Sequence, residues 1–283
     1  MPVKITIVTP VYNGARFISQ TIDSILSQKG NFFLEYIVVD DGSTDTSLEI
    51  IKKYHDKLVS GEWKIECLGI TFKYFTGPNQ GQSKAYNRGF TMAEGDMVAW
   101  MNADDYYLPG ALEKVTALYA RDPSLDLIYT DCLKVYEDKG TQTEEPRPRP
   151  DETLESLRSR GNSFDICYFS KRIYDKLGPL DESLHYCLDL DFWFKVFAVG
   201  KVAYLPYTTA AFRIWSGSKT GSKQDKFTAE RKLVFKRHGG NMIPPKKIYA
   251  LRAKLPFLTT FQKHTPGLYN NFKKGFYSII DIF

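Results

Sequence analysis

Ile5-Thr6-Ile7-Val8-Thr9 is β-branched at every position and ends at Pro10. A short branched run with no polar alternation reads as a strand buried on both faces, the kind that a parallel sheet requires. Phe17, Ile18, Thr21, Ile22, Ile25 and Leu26 then recur at helical spacing, so the strand feeds a helix. Tyr36-Ile37-Val38-Val39 reads as a second buried strand, closed by Asp40-Asp41-Gly42-Ser43-Thr44-Asp45, and Leu48, Ile51, Tyr54 and Leu58 continue helically behind these cap residues. The alternation predicts a strand over Thr71 to Phe75, a helix over Ser83 to Ala93 and a strand over Met97 to Met101. A helix over Pro109 to Ala120, opened by proline at its first position, and a strand over Leu127 to Tyr136 complete it. The expected class is α/β, with a Rossmann-like, mostly parallel sheet flanked by helices.

The chain has 283 residues, 43% hydrophobic and 25% charged, a balance that excludes disordered, collagen-like and disulfide-stapled classes. Four cysteines, Cys67, Cys132, Cys167 and Cys187, form no Cys-x-x-Cys pair and no Cys/His cluster. That argues against a zinc site and a disulfide framework and suits a reducing compartment. The sequence shows no basic-then-apolar leader and no run of about 18 apolar residues, so neither a signal peptide nor a membrane span is expected. A charged, proline-rich stretch, Glu144 to Pro150, is expected to be a mobile surface loop. The net charge of +5 is uneven: Pro244 to Phe283 carries +6, leaving −1 for the rest.

Ligands of open α/β sheets bind beyond the carboxyl ends of the strands. Here those ends are acidic and polar: Thr9-Pro10-Val11-Tyr12-Asn13, Asp40-Asp41 and Asn102-Ala103-Asp104-Asp105. One such acidic residue is commonly a helix cap, whereas three strand ends converging on one edge point to a site. Asp104 and Asp105 have no nearby Lys or Arg in sequence, and adjacent carboxylates repel unless a cation shares them. Oxygen ligands favour Mg²⁺ or Mn²⁺, which keep positions for substrate phosphates. No Gly-x-x-x-x-Gly-Lys-Ser/Thr loop and no Gly-x-Gly-x-x-Gly follows a strand, so P-loop hydrolysis and dinucleotide redox chemistry lose support.

In order, these motifs resemble the family-2 inverting glycosyltransferases of GT-A fold, over about the first 220 residues. The resemblance rests on Thr9 to Asn13, Val39 to Asp45, Gly77 to Gly89 and Gly95 to Asp105. Leu180-Asp181-Glu182 followed by Cys187-Leu188-Asp189-Leu190-Asp191-Phe192-Trp193 completes it. It implies a nucleotide-binding part over 1–110, an acceptor and catalytic part over 111–220, and a helical, basic and aromatic appendage over 221–283. It also implies a metal-dependent hexosyl- or N-acetylhexosaminyltransferase, using a nucleotide-sugar such as a UDP-sugar. The acceptor would be a glycan or lipid-linked precursor in surface polysaccharide or lipopolysaccharide biosynthesis.

By the same resemblance, Thr9, Tyr12 and one of Asp40 and Asp41 would hold the nucleobase, and Pro10 would contact the nucleotide-sugar. Asn102, Ala103 and Lys84 would contact the nucleotide-sugar. Asp104 would ligate the cation, with Asp105 the alternative ligand. Asn102 stands where many relatives carry the first Asp of an Asp-x-Asp, and a neutral amide adds no charge to the metal. Trp215 stands where the family often has His, which leaves Arg213 and Lys219 as the phosphate contacts. A solvated basic loop is the other reading of those two residues.

Inverting transfer needs a carboxylate to take the acceptor's proton and a cation to stabilise the departing diphosphate. Asp189, ahead of Phe192-Trp193-Phe194, is the expected base, its apolar surround including Trp193; Asp191 is the alternative, or caps that helix. Two other classes stand beside this one: a nucleotide-sugar-binding module without transfer, and a sugar-phosphate nucleotidylyltransferase, which would want a Gly-rich loop after the first strand. The tail mixes Phe257, Phe261, Tyr269, Phe272 and Phe276 with Lys263, Lys273 and Lys274. Peripheral contact with the inner face of the plasma membrane from the cytoplasm, and packing on the body or a second subunit, are its two readings. Nucleic acid lacks a recognition motif here.

Overall fold

A computed structural model describes residues 1–145, 152–160 and 166–240. The strands are β1 (Val3–Val11), β2 (Phe32–Asp40), β3 (Gly69–Thr76), β4 (Met97–Trp100), β5 (Tyr106–Tyr107), β6 (Leu127–Tyr136), β7 (Thr141–Glu145), β8 (Cys167–Ser170) and β9 (Val202–Ile214). The helices are α1 (Ile18–Leu26), α2 (Ser47–Val59), α3 (Gln82–Thr91), α4 (Ala111–Arg121), α5 (Leu154–Arg160), α6 (Lys171–Leu177), α7 (Leu188–Val199), α8 (Lys219–Ser222) and α9 (Gln224–Arg237).

The strands form one sheet in the order β3-β2-β1-β4-β8-β6-β9-β5, with β7 added on β6. The α/β alternation yields the expected parallel half, β3-β2-β1-β4. The second half is mixed: β8 runs antiparallel to both β4 and β6, while β9 is parallel to β6. The change falls where helical spacing stops, after Tyr136: β6 turns back as a hairpin into β7, and the later strand β8 enters antiparallel between β4 and β6.

Both faces of the sheet are covered, and alternate side chains divide between them as the pleat dictates. Ile5 and Ile7 of β1 join Ile18, Ile22 and Leu112 on one face. Val8 joins Tyr86, Phe90, Phe192 and Trp193 on the other. Gly89 is what lets α3 lie on the sheet, since a Cβ there would stand 2.3 Å from Val8 Cγ1.

Two sequence expectations change. The fourth helix begins at Ala111, not Pro109: Tyr106 and Tyr107 pair with β9, and the Leu108 N–H still donates to the Thr209 carbonyl at 2.8 Å. Gly110, at φ +80°, then turns the chain into the helix. Glu144 and Glu145, expected in a mobile loop, are paired in β7. The rest of that stretch, Pro146 to Pro150, and the basic tail from Pro244 lie outside the described residues.

Toward the amino ends of the parallel strands, Glu35 is fully buried. It accepts from Thr6 Oγ1 at 2.7 Å, Lys73 Nζ at 2.8 Å and the Glu94 N–H at 2.8 Å. Burial pushes its pKa up, but the bonds from Glu94, Lys73 and Thr6 outweigh that and hold it below the ordinary 4.5.

Two outcomes are expected. Gly89→Ala should cost about 1–3 kcal/mol by overpacking α3 on β1, read from the denaturant midpoint at constant m-value. An unshifted midpoint would show that the helix can ride outward. For Glu35, the folded pKa lies below the unfolded one, so its stabilisation is complete above the unfolded value and is lost as pH falls through the folded value. Glu35→Gln should therefore flatten stability against pH below about 4.5; parallel acid limbs in wild type and variant would contradict this.

Candidate active site

The carboxyl ends of β1, β2 and β4 are in register, with Val11 beside Asp40 and Val8 beside Trp100. The loops that follow open together on a cleft of about 840 Å³. Its first wall is knitted by Asn13, held at φ +52°, whose Oδ1 accepts from the Thr44 N–H at 2.8 Å while its own N–H reaches Ser43 Oγ at 3.0 Å. Asn is one of the few residues that tolerates this conformation. Tyr12, 54% exposed, presents its ring to the cleft. Asp41 accepts from the Gln80 and Gly81 N–H groups at 2.9 and 2.8 Å, which fixes the loop before α3.

The floor is the turn after β4. Asn102 Oδ1 accepts from Gln82 Nε2 at 3.0 Å and the Tyr86 hydroxyl at 2.9 Å, and its Nδ2 donates to Asp105 at 2.8 Å. Asp104 lines the cleft, and one of its carboxylate oxygens accepts from Trp215 Nε1 at 2.9 Å. Asp105 is buried behind it and accepts from the Arg213 backbone N–H at 2.7 Å. Burial, then the neighbouring Asp104 charge, push the Asp105 pKa well up, against the bonds from Arg213 and Asn102.

The opposite wall is the start of α7. Asp189 lies in its first turn and lines the cleft, with its carboxylate accepting from the Leu190 N–H at 2.8 Å. The segment leading to it is docked on α3, where Asn87 Nδ2 donates to the Leu180 carbonyl at 2.9 Å and Ser83 Oγ to the Leu184 carbonyl at 2.7 Å. Lys219 reaches across, donating to Gln82 Oε1 at 2.7 Å and the His185 carbonyl at 3.0 Å, and the protein packed around it lowers its pKa against the pull of Glu230.

Of the residues expected at the site, the structure brings Pro10, Tyr12, Asp41, Asn102, Ala103, Asp104, Asp189, Arg213 and Lys219 to one cleft. Thr9 is fully buried within β1, and Asp40 turns to Thr76 Oγ1 and the Ser43 N–H, so neither lines it. Lys84 points to Glu182 at 3.9 Å, because helical spacing carries it around α3. Asp105, the alternative ligand, is turned into the protein. Asp191 is 1% exposed and paired with Lys195, Arg237 and His238 at 2.6, 3.1 and 2.8 Å. Burial raises its pKa, yet the bonds from His238 and Lys195 hold it well below the carboxylate range; it ties helices together and does not line the cleft.

Trp193 is core, 4.7 Å from the Trp100 ring. Arg213 borders the cleft, but its guanidinium is committed to the Asp104 carbonyl, Gln20 and Glu137, so it positions the turn instead of offering itself to phosphate. Sequence reasoning missed Arg16, Lys134 and Tyr186 on the lining. None belongs to a spaced motif: Arg16 comes in on the loop between β1 and α1, Lys134 on β6 and Tyr186 on the loop before α7.

One cleft carboxylate, Asp104, offers oxygen to a divalent cation, and among the described residues no three His, Cys, Asp or Glu side chains group as a ligand set. A single carboxylate fits Mg²⁺ or Mn²⁺ completed by substrate phosphates and water.

A sequence profile of glycosyl transferase family 2 matches residues 6–177. An uncharacterized glycosyltransferase of Rickettsia typhi is 29% identical over 70% of this chain and 60% of its own length. The chondroitin synthase of Pasteurella multocida is 27% identical over 71% of this chain and 20% of that protein. The chain thus spans about 60% or less of the length of these relatives. Among solved structures, Staphylococcus aureus TarS 1-349 in complex with UDP-GlcNAc superposes with TM-score 0.63 at 20% identity, covering 82% of this chain and 65% of that one. The mannosyltransferase PcManGT of Pyrobaculum calidifontis, with GDP-Man and Mn²⁺, gives 0.59 at 17%, covering 99% and 81%. The fold is that of these GT-A enzymes.

The Trp215 indole should be tested apart from any activity. Trp215→Phe keeps the ring that meets Phe17 edge-on at 5.3 Å but removes the N–H that Asp104 accepts. It should lower folding stability by about 1.5–3 kcal/mol, the worth of a hydrogen bond to a charged group. An unfolding midpoint equal to wild type would show that the bond contributes nothing.

Proposed function

The chain belongs to glycosyl transferase family 2, and from that premise we propose that it moves a sugar, with inversion, from a UDP-sugar to a hydroxyl of a cell-surface glycan or lipid-linked precursor. The observation that carries this reading is the placement of Asp104 on the floor and Asp189 on a wall of one cleft beyond the parallel strands, although they lie far apart in sequence. The UDP and UDP-GlcNAc complexes of a structural neighbour support the choice of donor, and the polysaccharide synthases among the relatives that of acceptor class.

In this reading the nucleobase stacks against Tyr12, beside the loop that Asp41 fixes. Asp104, oriented by Trp215 and by Arg213 beneath it, would hold a Mg²⁺ or Mn²⁺ ion. Bound there, the ion supplies positive charge against the leaving diphosphate. Lys219 adds a donor on the same side. Asp189 takes the proton of the acceptor hydroxyl as its oxygen attacks the anomeric carbon. The bond from that carbon to the diphosphate oxygen breaks in the same displacement, and its electron pair leaves with the diphosphate. The docking of the Leu180 to Leu184 segment on α3 fixes where Asp189 stands. Among the described residues no helix is long and apolar enough to cross a membrane.

A donor screen by thermal shift and slow donor hydrolysis, with and without Mn²⁺, identifies the nucleotide-sugar. Asp189→Asn should then keep the donor-induced shift while turnover falls by about 10² to 10⁴. Asp104→Ala should abolish turnover and the metal dependence of UDP binding. Metal-enhanced UDP binding that survives in Asp104→Ala, or full turnover in Asp189→Asn, would overturn the assignments. Asp191→Asn belongs to a buried ion-pair network and should lower the melting temperature before it alters turnover.

A further inference from the structure

Helix α9 lies beyond the residues matched by the family profile, yet it grips the segment that carries Asp189 from both sides. The Glu230 carboxylate accepts three successive backbone N–H groups, those of His185 at 3.0 Å, Tyr186 at 2.6 Å and Cys187 at 2.6 Å. About two turns further along the helix, Arg237 and His238 pair with Asp191 of α7 at 3.1 and 2.8 Å. Asp189 stands between these attachments, after Cys187 and before Asp191.

Successive N–H groups that converge on one place make a concavity for an anion. Here a side chain of the protein itself fills it. The cap residue of α7, Cys187, makes no side-chain capping bond, and the carboxylate that meets the chain at this helix start comes from α9 instead. The peptide between His185 and Tyr186 is held at both ends by opposite charges. Its N–H goes to Glu230, and its carbonyl accepts from Lys219 Nζ at 3.0 Å. A trans peptide points these groups to opposite sides, so the two bonds together fix its plane. Lys219 also donates to Gln82 Oε1 at 2.7 Å, and Gln82 Nε2 donates to Asn102 of the Asp104 turn at 3.0 Å. A continuous chain of hydrogen bonds thus runs from Glu230, through the backbone ahead of Asp189, to the floor of the cleft.

We propose that Glu230 is the positioning residue for Asp189: its carboxylate gathers the His185, Tyr186 and Cys187 N–H groups and so sets where the Asp189 carboxylate stands relative to the Asp104 turn. Glu230 does not itself line the cleft; it acts through His185 to Asp189, which do. The proposal rests on the reading of Asp189 as the base.

The test uses the full chain with Glu230→Gln, which keeps size and one acceptor oxygen, and Glu230→Ala, which removes the acceptor. Hydrogen exchange in peptides covering residues 184–190 should speed up about tenfold in Glu230→Ala and less in Glu230→Gln, with α3 unchanged. Turnover is read as Mn²⁺-dependent hydrolysis of UDP-GlcNAc, UDP-glucose, UDP-galactose and UDP-glucuronate, with water as acceptor. In Glu230→Ala, kcat should fall about 10²-fold while KM and the UDP-induced thermal shift stay near wild type, and Glu230→Gln should recover part of the loss. In an Asp189→Asn background the loss should vanish, because nothing remains to be positioned. Asp225→Asn, an equal charge change at an exposed site on the same helix, should leave kcat unchanged. If Glu230→Ala does not fold, Glu230→Gln carries the same comparisons at smaller amplitude.

Unchanged exchange at residues 185–187, a raised KM at constant kcat, or a loss that adds to that of Asp189→Asn would each overturn the proposal. Faster exchange in the variants, with none of the UDP-sugars hydrolysed by the wild type, would instead sink the glycosyltransferase reading, and with it Asp189 as the group positioned, while the backbone grip of Glu230 stood.

Discussion

Two aspartates side by side at the end of a buried strand repel each other, and Arg213 makes that turn tenable. Its backbone N–H is bound by Asp105, its guanidinium by the Asp104 carbonyl, Gln20 and Glu137, and its plane lies 4.2 Å from the Phe17 ring. Asp105 is drawn inward, where burial and the neighbouring Asp104 charge push its pKa up against the bonds from Arg213 and Asn102. Asp104 alone is turned outward, where Trp215 fixes one oxygen. The floor of the cleft follows from this division between neighbours that are identical as residue types.

The facing wall obeys the same logic with different parts. Asp189 and Asp191 are two residues apart, so helix geometry sends them to different sides of α7. One side is the cleft; the other is a buried network with Lys195, Arg237 and His238. Asp191 therefore ties α9 to α7, while Glu230 of α9 ties back to the loop before Asp189. Breaking either tie would loosen the carboxylate and the wall beside it together. The parallel half of the sheet and the α7–α9 pair thus form two preorganised blocks, joined by α3 through Ser83 and Asn87.

The mixed half of the sheet has a functional consequence. Because β6 folds back on β7 and accepts β9 in parallel, β9 returns to the site edge and delivers Arg213 and Trp215 beneath and beside the turn after β4. A sheet built only of strand-helix repeats would have carried those residues elsewhere.

Local pattern was enough to determine the parallel half. Branched runs such as Ile5 to Thr9 are buried on both faces, and Phe17 to Leu26 can be amphipathic only as a helix, so the strand ends and their acidic residues were legible before any packing was known. The ordered motifs likewise marked Tyr12, Asp41, Asp104 and Asp189. What the sequence left undecided was direction. Asp104 and Asp105, Asp189 and Asp191, or Asp40 and Asp41 are equivalent as residue types. A one- or two-residue step rotates a side chain to another face, and only contacts from distant segments say which face is solvent and which is core. Arg213, read as a phosphate contact, became a buried strut for that reason. The α9 residues that line the cleft, Gln224, Phe227, Thr228 and Arg231, were silent in sequence because only the packing of α9 on α7 brings them there. Tertiary structure decided those roles, since burial and hydrogen-bond satisfaction are properties of the assembled surroundings and not of the residues themselves.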